Sequence, residues 1–195
     1  RRKLNLPNED SLVGKGVSYC STCDAPLYKN KDVVVVGGGN AAVEGAILIS
    51  KYANKVHLVY RGDSLHRPEK VLLKQFEECK NIDLHLNSQI SEITEDDSGV
   101  NGVIIIKSKQ EEKLTCDGLF IEIGADPRLE LPKQLNLSID PETNEVSVNK
   151  LMETSLKGVF AAGDLTNASG PLKQTVTAAG QGAIAALSAY TYLSS

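Results

Sequence analysis

The first regular pattern in the chain is the apolar run of residues 32–36, DVVVV. A short run of β-branched residues without polar alternation is typical of a strand that is buried on both faces of a parallel sheet. Residues 40–53 follow with Val43 and Ile47 at helical spacing, and a second apolar run covers residues 55–60. A strand, a helix and a strand within about 30 residues predict a βαβ unit.

After this unit, the pattern predicts a helix, a strand and then a different kind of sheet. Residues 67–79 predict a helix with Pro68 in its first turn, where the missing N–H does no harm. Residues 82–86 predict a strand. Short β-rich runs interrupted by the turn sequences DDSG and KQEE follow, which indicates an antiparallel meander. Residues 119–123 predict a return to a buried strand.

A change of composition marks a boundary near residue 126. Three prolines and several turn residues lie between Gly124 and Asn144, which is typical of a connection between domains. An alanine-rich helix is predicted beyond it, from about Lys173 to Leu193. The alternation of strands and helices therefore predicts an α/β fold with a parallel sheet and an antiparallel β-meander.

The composition of the chain narrows its possible partners. The 195 residues carry a net charge of -4, and no basic run is present, so we expect no nucleic-acid partner. No apolar stretch reaches the roughly 18 residues of a membrane span, so we expect no membrane association. We expect a cytoplasmic protein.

Two of the four cysteines, Cys20 and Cys23, have CxxC spacing. In an intracellular chain this spacing indicates redox chemistry or metal binding. Zinc needs two more ligands, but the chain has no second CxxC and its three histidines show no ligand spacing. A structural disulfide would be unusual in a reducing compartment. The pattern therefore favours a redox dithiol, and no metal-binding residue is predicted.

The neighbours of this pair and the remaining cysteines have simpler interpretations. Asp24 follows the motif directly and could move the proton that thiolate chemistry requires, or it could cap a helix. Cys79 and Cys116 stand alone and are expected to be buried small hydrophobic residues.

A glycine-rich turn connects the first predicted strand to the first predicted helix. GGGNAA fits G-x-G-x-x-A with Gly37, Gly39 and Ala42. The first glycine permits a tight turn, the second lets the backbone approach a pyrophosphate, and the alanine lets the helix pack on the strand. Because the pattern stands between a strand and a helix, we predict a dinucleotide-binding turn.

The end of the second strand indicates which dinucleotide binds. An NAD site usually has an acidic residue there, whereas this chain has Tyr60, Arg61 and Gly62, with Arg67 nearby. Guanidinium can bind a 2′-phosphate with two hydrogen bonds, which favours NADP(H). If both arginines are solvated loop residues instead, NAD(H) remains open.

A dithiol in front of a nicotinamide site raises a chemical requirement. A nicotinamide delivers a hydride, whereas a disulfide takes up an electron pair and protons. When the two groups lie in separate sites, a two-electron relay is needed between them, and flavin is the usual one.

Two long segments, residues 14–46 and 158–193, resemble low-molecular-weight thioredoxin reductases of the flavin-dependent pyridine nucleotide-disulfide oxidoreductase family. The first, GKGVSYCSTCDAPLYKNKDVVVVGGGNAAVEGA, joins the CxxCD motif to the glycine turn. The second begins GVFAAGDLTN and ends KQTVTAAGQGAIAALSAYTYL. The resemblance implies that Cys20 exchanges with thioredoxin, that Cys23 lies against the flavin and that Asp24 serves in proton transfer.

The resemblance also implies flavin contacts near the C-terminus. Asp164 would hold the ribityl chain, and Gln174 would approach the isoalloxazine with Thr175 and Ala178 near it. Together with the glycine turn, these considerations predict the following cofactor-binding residues: Gly37, Gly38, Gly39, Asn40, Ala41, Ala42, Glu44, Tyr60, Arg61, Arg67, Gly124, Gly163, Asp164, Lys173, Gln174 and Thr175. The catalytic residues are predicted to be Cys20, Cys23 and Asp24.

Two features depart from the family pattern. Members specific for NADPH usually carry His-Arg-Arg at the end of the second strand, where this chain has Tyr60, Arg61 and Gly62. One of two adjacent arginines is therefore missing, which leaves the choice between NADPH and NADH open. The family's usual glycine after the CxxCD motif is Ala25 here.

The resemblance implies a particular domain organisation. Residues 10–126 would form an NAD(P)H-binding domain that carries the CxxC motif, and residues 1–9 and 127–195 would be the remnant of a split FAD-binding domain. The family's further G-x-G-x-x-G turn for the flavin nucleotide is not found in these residues. We therefore expect a fragment, with NADP(H) or NAD(H) as cofactor, FAD in the full-length protein and little reductase activity by itself.

The implied activity of the full-length protein is reduction of thioredoxin, with electrons passing from NAD(P)H through FAD to the dithiol, in a homodimer. Two alternatives remain. The first is a peroxiredoxin-reducing subunit of alkyl hydroperoxide reductase, which shares the same core. The second, for the isolated chain, is a nicotinamide-nucleotide-binding module without activity.

Overall fold

The computed structural model describes residues 1–65, 68–170 and 172–194. The chain divides into two compact units, Arg1–Ala125 and Asp126–Ser195. The division lies beside the composition change near residue 126. Residues 1–9 belong to the first unit, whereas the resemblance had assigned them to a flavin-binding remnant. The functions of the two units stay a prediction.

The first nine residues are held to the first unit by the buried carboxylate of Glu9. This side chain is 1% exposed and accepts hydrogen bonds from the backbone N–H groups of Leu4 (3.1 Å) and Leu6 (3.2 Å). The phenol of Tyr19 also donates to it, and burial together with this carboxylate raises the pKa of Tyr19. A buried carboxylate is stable only when it is hydrogen-bonded, so these contacts anchor the segment.

The first unit contains eight strands and three helices among the described residues. In chain order these elements are β1 (Val17–Ser18), α1 (Ser21–Asp24), β2 (Asp32–Val36), α2 (Asn40–Ser50), β3 (Lys55–Val59), α3 (Lys70–Glu78), β4 (Ile82–His85), β5 (Ser88–Asp96), β6 (Gly99–Lys107), β7 (Gln110–Thr115) and β8 (Gly118–Ile121).

Five of the strands form a parallel sheet in the order β1-β8-β2-β3-β4. The other three form an antiparallel sheet in the order β5-β6-β7. The predicted combination of a Rossmann-like βαβ unit, a parallel sheet and an antiparallel meander is therefore confirmed. Helix α3 begins at Lys70 rather than at residue 67, and Pro68 precedes it.

The run of valines in β2 is explained by what covers the two faces of the sheet. Val33 and Val35 pack with residues of α2, whereas Val34 and Val36 pack with residues of the antiparallel sheet. Because successive side chains of a strand point to opposite faces, a strand covered on both sides is apolar at every position. The βαβ unit is thus built around a fully buried strand.

The second unit has a much smaller core. Its buried cluster consists of Leu129, Leu137 and Val146, with a few half-buried neighbours. It contains the short helix α4 (Glu130–Gln134) and the long helix α5 (Thr175–Ser194). The predicted alanine-rich helix near residues 173–193 is present as α5, but no residue of it is buried. Among the described residues, no helix combines the length and the apolarity that crossing a membrane requires.

Candidate functional site

The CxxC motif forms a disulfide-closed turn directly after strand β1. Cys20 and Cys23 are bonded to each other, with their Cα atoms 5.3 Å apart. Cys20 stands at the N-cap of α1, where its sulfur accepts a hydrogen bond from the backbone N–H of Cys23 at 3.2 Å. Cys23 is exposed and Cys20 is half-buried. The bonded sulfurs are not metal ligands in this state, so the geometry fits the dithiol interpretation better than zinc.

Asp24 is connected to this turn through Ser18. The hydroxyl of Ser18 donates to Oδ2 of Asp24 at 2.6 Å, and the hydroxyl oxygen of Ser18 accepts from the backbone N–H of Cys20 at 3.1 Å. Asp24 makes no side-chain cap hydrogen bond at the 3₁₀ turn that follows it, so its side chain is not a helix cap. Ser18 is buried, and it holds the carboxylate next to the disulfide.

A second carboxylate, Glu122, holds the first residue of α1. Its Oε1 accepts hydrogen bonds from the backbone N–H of Ser21 at 3.0 Å and from the Ser21 hydroxyl at 2.7 Å. Ser21 is buried against α2, because a Cβ placed on Gly45 would lie 2.5 Å from its hydroxyl oxygen. Sequence reasoning missed this pair, since the two residues are 101 positions apart. The only local signal is a glutamate that directly follows the predicted buried strand.

The glycine turn between β2 and α2 has two tightly packed positions and one open position. Gly37 adopts φ +146°, and a Cβ there would lie 2.3 Å from the carbonyl oxygen of Glu122 and 2.7 Å from the Cβ of Ala42. Gly39 has no heavy atom within 4 Å of a placed Cβ. Gly37 and Ala42 therefore close the turn against the sheet, while Gly39 borders open space.

This open position lies at the N-terminus of α2. Gly39 is the N-cap residue and has no side chain to satisfy the first N–H groups of the helix. Such groups, together with the helix dipole, attract phosphate. Asn40, Ala41 and Glu44 are exposed on the first turns of α2. The residues present therefore fit the pyrophosphate of a nicotinamide dinucleotide.

At the end of β3, the ring of Tyr60 covers the glycine turn. A Cβ on Gly38 would lie 2.3 Å from this ring, and one on Gly62 would lie 2.5 Å from it. The structure thus brings together Tyr60 and Gly38, which were predicted from separate parts of the sequence. Arg61 is exposed beside them. Arg67, the other predicted phosphate ligand, lies outside the described residues.

In the second unit, the predicted flavin-contacting residues precede or begin α5. Gly163 is buried with φ +82°, and its N–H donates to Oε1 of Gln181 at 2.7 Å. Asp164 is exposed, so its carboxylate can accept hydrogen bonds from the hydroxyl groups of a ribityl chain. Gln174 precedes α5 and Thr175 begins it, where amide N–H groups suit a group that gains negative charge. This donor set fits part of a flavin.

Two predicted cofactor residues have structural contacts of their own. The ammonium of Lys173 pairs with the buried carboxylate of Glu145 and donates to the carbonyl oxygen of Asp164 at 3.1 Å. The carbonyl oxygen of Gly124, in the first unit, accepts from the backbone N–H of Arg2 at 2.9 Å. Gln181 and Glu145 were not singled out from the sequence. Their contacts are with residues 18 and 28 positions away.

Comparison with known proteins identifies one family. The family model described as pyridine nucleotide-disulphide oxidoreductase matches residues 1–182. Thioredoxin reductase of Bacillus subtilis is 39% identical over 194 residues, which is 98% of this chain and 60% of that protein. The flavoprotein component of alkyl hydroperoxide reductase from Staphylococcus aureus is 36% identical over 195 residues, 98% of this chain and 37% of that protein.

Solved structures give the same result. The crystal structure of thioredoxin reductase from Streptococcus pyogenes superposes with a TM-score of 0.87 at 35% sequence identity, covering 99% of this chain and 62% of that one. The chain therefore spans about three fifths of the length of the thioredoxin reductases that it matches. The predicted cofactors, NAD(P)H together with FAD in the full-length protein, are those of thioredoxin reductases.

Proposed function

The chain belongs to the pyridine nucleotide-disulphide oxidoreductase family, and we propose that the full-length protein is a thioredoxin-disulfide reductase. In this proposal, electrons pass from NAD(P)H through FAD to the Cys20–Cys23 pair and then to thioredoxin. The observation that carries the proposal is the closed disulfide with Asp24 held beside it, on the same compact unit as the glycine turn.

Glu122 supports a functional connection between the disulfide and the glycine turn. Its carboxylate accepts both hydrogen bonds of Ser21, inside the CxxC motif. Its carbonyl oxygen lies directly against Gly37, where only glycine leaves room. One residue at the end of β8 therefore positions the redox turn and borders the nucleotide turn. Reactions at two positions need such fixed geometry, because small misplacements slow electron and proton transfer.

Reduction of the disulfide consumes two electrons and two protons and yields two thiols. FAD, when bound, supplies the step between a hydride donor and a disulfide. Asp24 is the proton carrier of this site, and Ser18 keeps its carboxylate next to Cys20. Cys23 is the more exposed sulfur, which agrees with the role of facing the flavin.

The reduced pair then reduces the partner by thiol–disulfide exchange. The thiolate of Cys20 attacks one sulfur of the thioredoxin disulfide, forms a mixed disulfide and displaces the other sulfur as a thiolate. Cys23 then attacks Cys20, re-forms the intramolecular bond and releases reduced thioredoxin. Asp24 takes up the proton that Cys23 loses. The two electrons of the dithiol thus leave with the partner.

The test of this function uses the full-length protein. Replacement of Cys23→Ser is expected to abolish turnover with oxidised thioredoxin and to leave nicotinamide nucleotide binding nearly unchanged. Cys79→Ser is the matched control, because Cys79 is a free cysteine outside the motif, and its turnover should be unaltered. Full turnover in Cys23→Ser would refute the assignment of the pair.

For the nucleotide we propose NADPH, bound with its 2′-phosphate at Arg61. Arg61 is exposed at the end of β3, beside the ring of Tyr60. Replacement of Arg61→Ala should weaken NADPH binding by about tenfold or more, since a charged hydrogen-bonded contact is lost, and should leave NADH binding unchanged. Lys29→Ala, which removes another exposed cation, is the control. Equal losses for both nucleotides would contradict the phosphate role.

A peroxiredoxin-reducing activity is the second candidate, because the alkyl hydroperoxide reductase flavoprotein also matches 98% of the chain. Assays of the full-length protein with thioredoxin and with a peroxiredoxin as alternative electron acceptors separate the two. For either activity we propose a homodimer in the cytoplasm, where a reducing compartment keeps a catalytic dithiol in use.

For the 195-residue chain by itself, we propose nicotinamide-nucleotide binding with little reductase activity. The nucleotide turn belongs to the well-packed first unit, whereas the flavin-contacting residues belong to the unit with the small core. The purified chain should bind NADPH in a calorimetric titration and carry little flavin absorbance. Near-stoichiometric flavin would contradict this part of the proposal.

A further inference from the structure

Two histidines and an aspartate lie together on strands β3 and β4 of the first unit. Nδ1 of His57 is 3.1 Å from Nε2 of His85, and the ligating atoms of His57, Asp83 and His85 all lie within 4.8 Å of one another. We refer to these three residues as the β3–β4 cluster. The histidines are 28 positions apart, and their spacing in the sequence gave no sign of this arrangement.

The parallel register of the two strands explains why the three side chains meet. His57 is paired with Asp83, and Val59 is paired with His85. Residues two apart in a strand share a face, so Asp83 and His85 point to the same side of β4. The sheet itself therefore positions the cluster, without a dedicated loop.

The cluster lies on the face of the sheet opposite to the one that α2 covers. Val56 and Leu58 pack with residues of α2, whereas Val59 packs with the group that contains Val34 and Val36. By alternation, His57 shares the face of Val59. The β3–β4 cluster is therefore distinct from the surface against which α2 packs and from the Cys20–Cys23 turn.

The distance between the two ring nitrogens leaves room for a single hydrogen. One nitrogen donates this hydrogen and the other accepts it through a free lone pair. A metal ion in place of the hydrogen would require a nitrogen separation of about 3.3 Å, given tetrahedral geometry and metal–nitrogen bonds of about 2.0–2.1 Å. The observed 3.1 Å is close to this value. The displaced hydrogen moves to the other nitrogen of the same ring, so neither imidazole changes its charge.

The third ligand is engaged in an exchangeable ion pair. Oδ2 of Asp83 lies 2.6 Å from the ammonium of Lys55, and the side chains are 48% and 36% exposed. Partly exposed pairs of this kind contribute little to stability. Asp83 can therefore exchange the ammonium for a divalent cation at low cost.

We propose that the β3–β4 cluster binds one divalent transition-metal ion, with Zn²⁺ as the best-fitting ion. The ligands are Nδ1 of His57, Nε2 of His85 and one carboxylate oxygen of Asp83, and solvent completes the tetrahedron. Imidazole nitrogens favour zinc, copper and nickel over magnesium and calcium. Because β4 is the edge strand of the parallel sheet, the ion joins this edge to its neighbour and stabilises the folded first unit.

The test is a titration of the disulfide-oxidised chain with Zn²⁺ in competition with a chromogenic chelator. The wild type should bind one equivalent, and His57→Ala and His85→Ala should each weaken binding by about tenfold or more, since one of three protein ligands is lost. Lys55→Ala should tighten binding, because it frees Asp83. Asp97→Asn is the matched control for Asp83→Asn, because Asp97 is an exposed carboxylate of the β5–β6 turn, and it should leave binding unchanged.

Two further measurements identify the ligands and the consequence. Bound Co²⁺ should give the absorption of a tetrahedral site without a thiolate charge-transfer band, which separates the cluster from Cys79 and Cys116. Zn²⁺, but not Mg²⁺, should raise the melting temperature of the wild type and fail to raise that of His85→Ala.

The proposal is wrong if both histidine variants bind Zn²⁺ as tightly as the wild type, or if the Co²⁺ spectrum reports thiolate ligands. If the histidine variants do not fold, the surface variants decide: unchanged or weaker binding in Lys55→Ala, or unchanged binding in Asp83→Asn, overturns it.

Discussion

Strand β2 of the first unit buries four consecutive valines, whereas helix α5 of the second unit has 20 residues and none of them is buried. The first unit covers its parallel sheet with α2 on one face and the antiparallel sheet on the other. The second unit collects only three buried apolar residues in its main cluster. Since burial of apolar surface is the main stabilising term in folding, the two units should differ strongly in stability.

The contrast also concerns the chemistry that each unit can hold in place. In the first unit, Ser18, Ser21 and Glu122 hold the redox turn through short hydrogen bonds from buried or half-buried groups. In the second unit, Asp164 and Thr175 are exposed. Fixed geometry thus coincides with deep packing, as expected when side chains are held by a rigid scaffold.

The largest expected effect concerns amide hydrogen exchange in the two helices that follow glycine-containing segments. Amides of α2 should exchange at least about a thousandfold more slowly than those of α5, because α2 opens only with the core of the first unit. Mass spectrometry or NMR on the intact 195-residue chain provides the measurement. Equal protection of α2 and α5 would contradict the comparison.

Core truncation gives the next largest effect. Phe120 is fully buried, and its ring packs edge-on against Tyr28 at a centroid distance of 5.0 Å. Phe120→Ala should lower the free energy of unfolding by about 3–5 kcal/mol. Leu187→Ala in α5, where the leucine is 69% exposed, should change it by less than about 0.5 kcal/mol. Urea unfolding followed by circular dichroism measures both, and similar losses would refute the contrast.

Alkaline pH should destabilise the first unit through Cys116. Burial raises the pKa of this thiol from 9.0 to about 12. Above pH 9 the unfolded chain loses the proton while the folded chain keeps it, so the stability that this thiol contributes is complete below pH 9 and declines until pH 12. The contribution to the folding equilibrium constant should fall about tenfold per pH unit within this window.

The Cys116→Ala variant isolates this effect in a series of urea titrations. The variant should lack the part of the alkaline slope that Cys116 causes, while other groups titrate as before. In the native wild type, Cys79, which is only half-buried, should be alkylated well before Cys116. Rapid labelling of Cys116 in the folded chain would show that its environment differs from the buried one described.

The smallest expected effect concerns the tie between α1 and β8. Glu122→Ala removes the acceptor of both Ser21 hydrogen bonds and should cost about 1–3 kcal/mol, the range for hydrogen bonds to a charged group. Glu122→Gln keeps an acceptor oxygen and should cost less. Ser21→Ala removes only the hydroxyl bond and should fall between the wild type and Glu122→Ala. A neutral Glu122→Ala would mean that the redox turn is held by other contacts.

Much of the fold could be predicted because its signals are local. Strand β2 has the predicted bounds, and the ends of α2, β3 and β4 differ from the prediction by three residues or fewer. The start of α3 was predicted three residues too early, since Glu69 has extended backbone and Pro68 precedes the helix. The short helix α1 was not predicted, because four residues carry no measurable periodicity.

The candidate site could be predicted only in part. The CxxC motif, the aspartate after it and the glycine turn each have a spacing that reports their chemistry, and the family comparison supports the resemblance that they suggested. The partners that hold them could not be found in this way. Ser18, Ser21 and Glu122 have no characteristic spacing, and hydrogen bonds across 101 positions leave no periodic trace.

The amino-acid sequence by itself determined the local features of this protein: the buried strand, the helix after the glycine turn, the redox spacing and the boundary near residue 126. These depend on side-chain size, polarity and backbone preference over a few residues. Only the tertiary structure decided that Glu122 meets Ser21 and that His57 meets His85. Such contacts depend on strand order and register, which are set by the packing of the whole sheet.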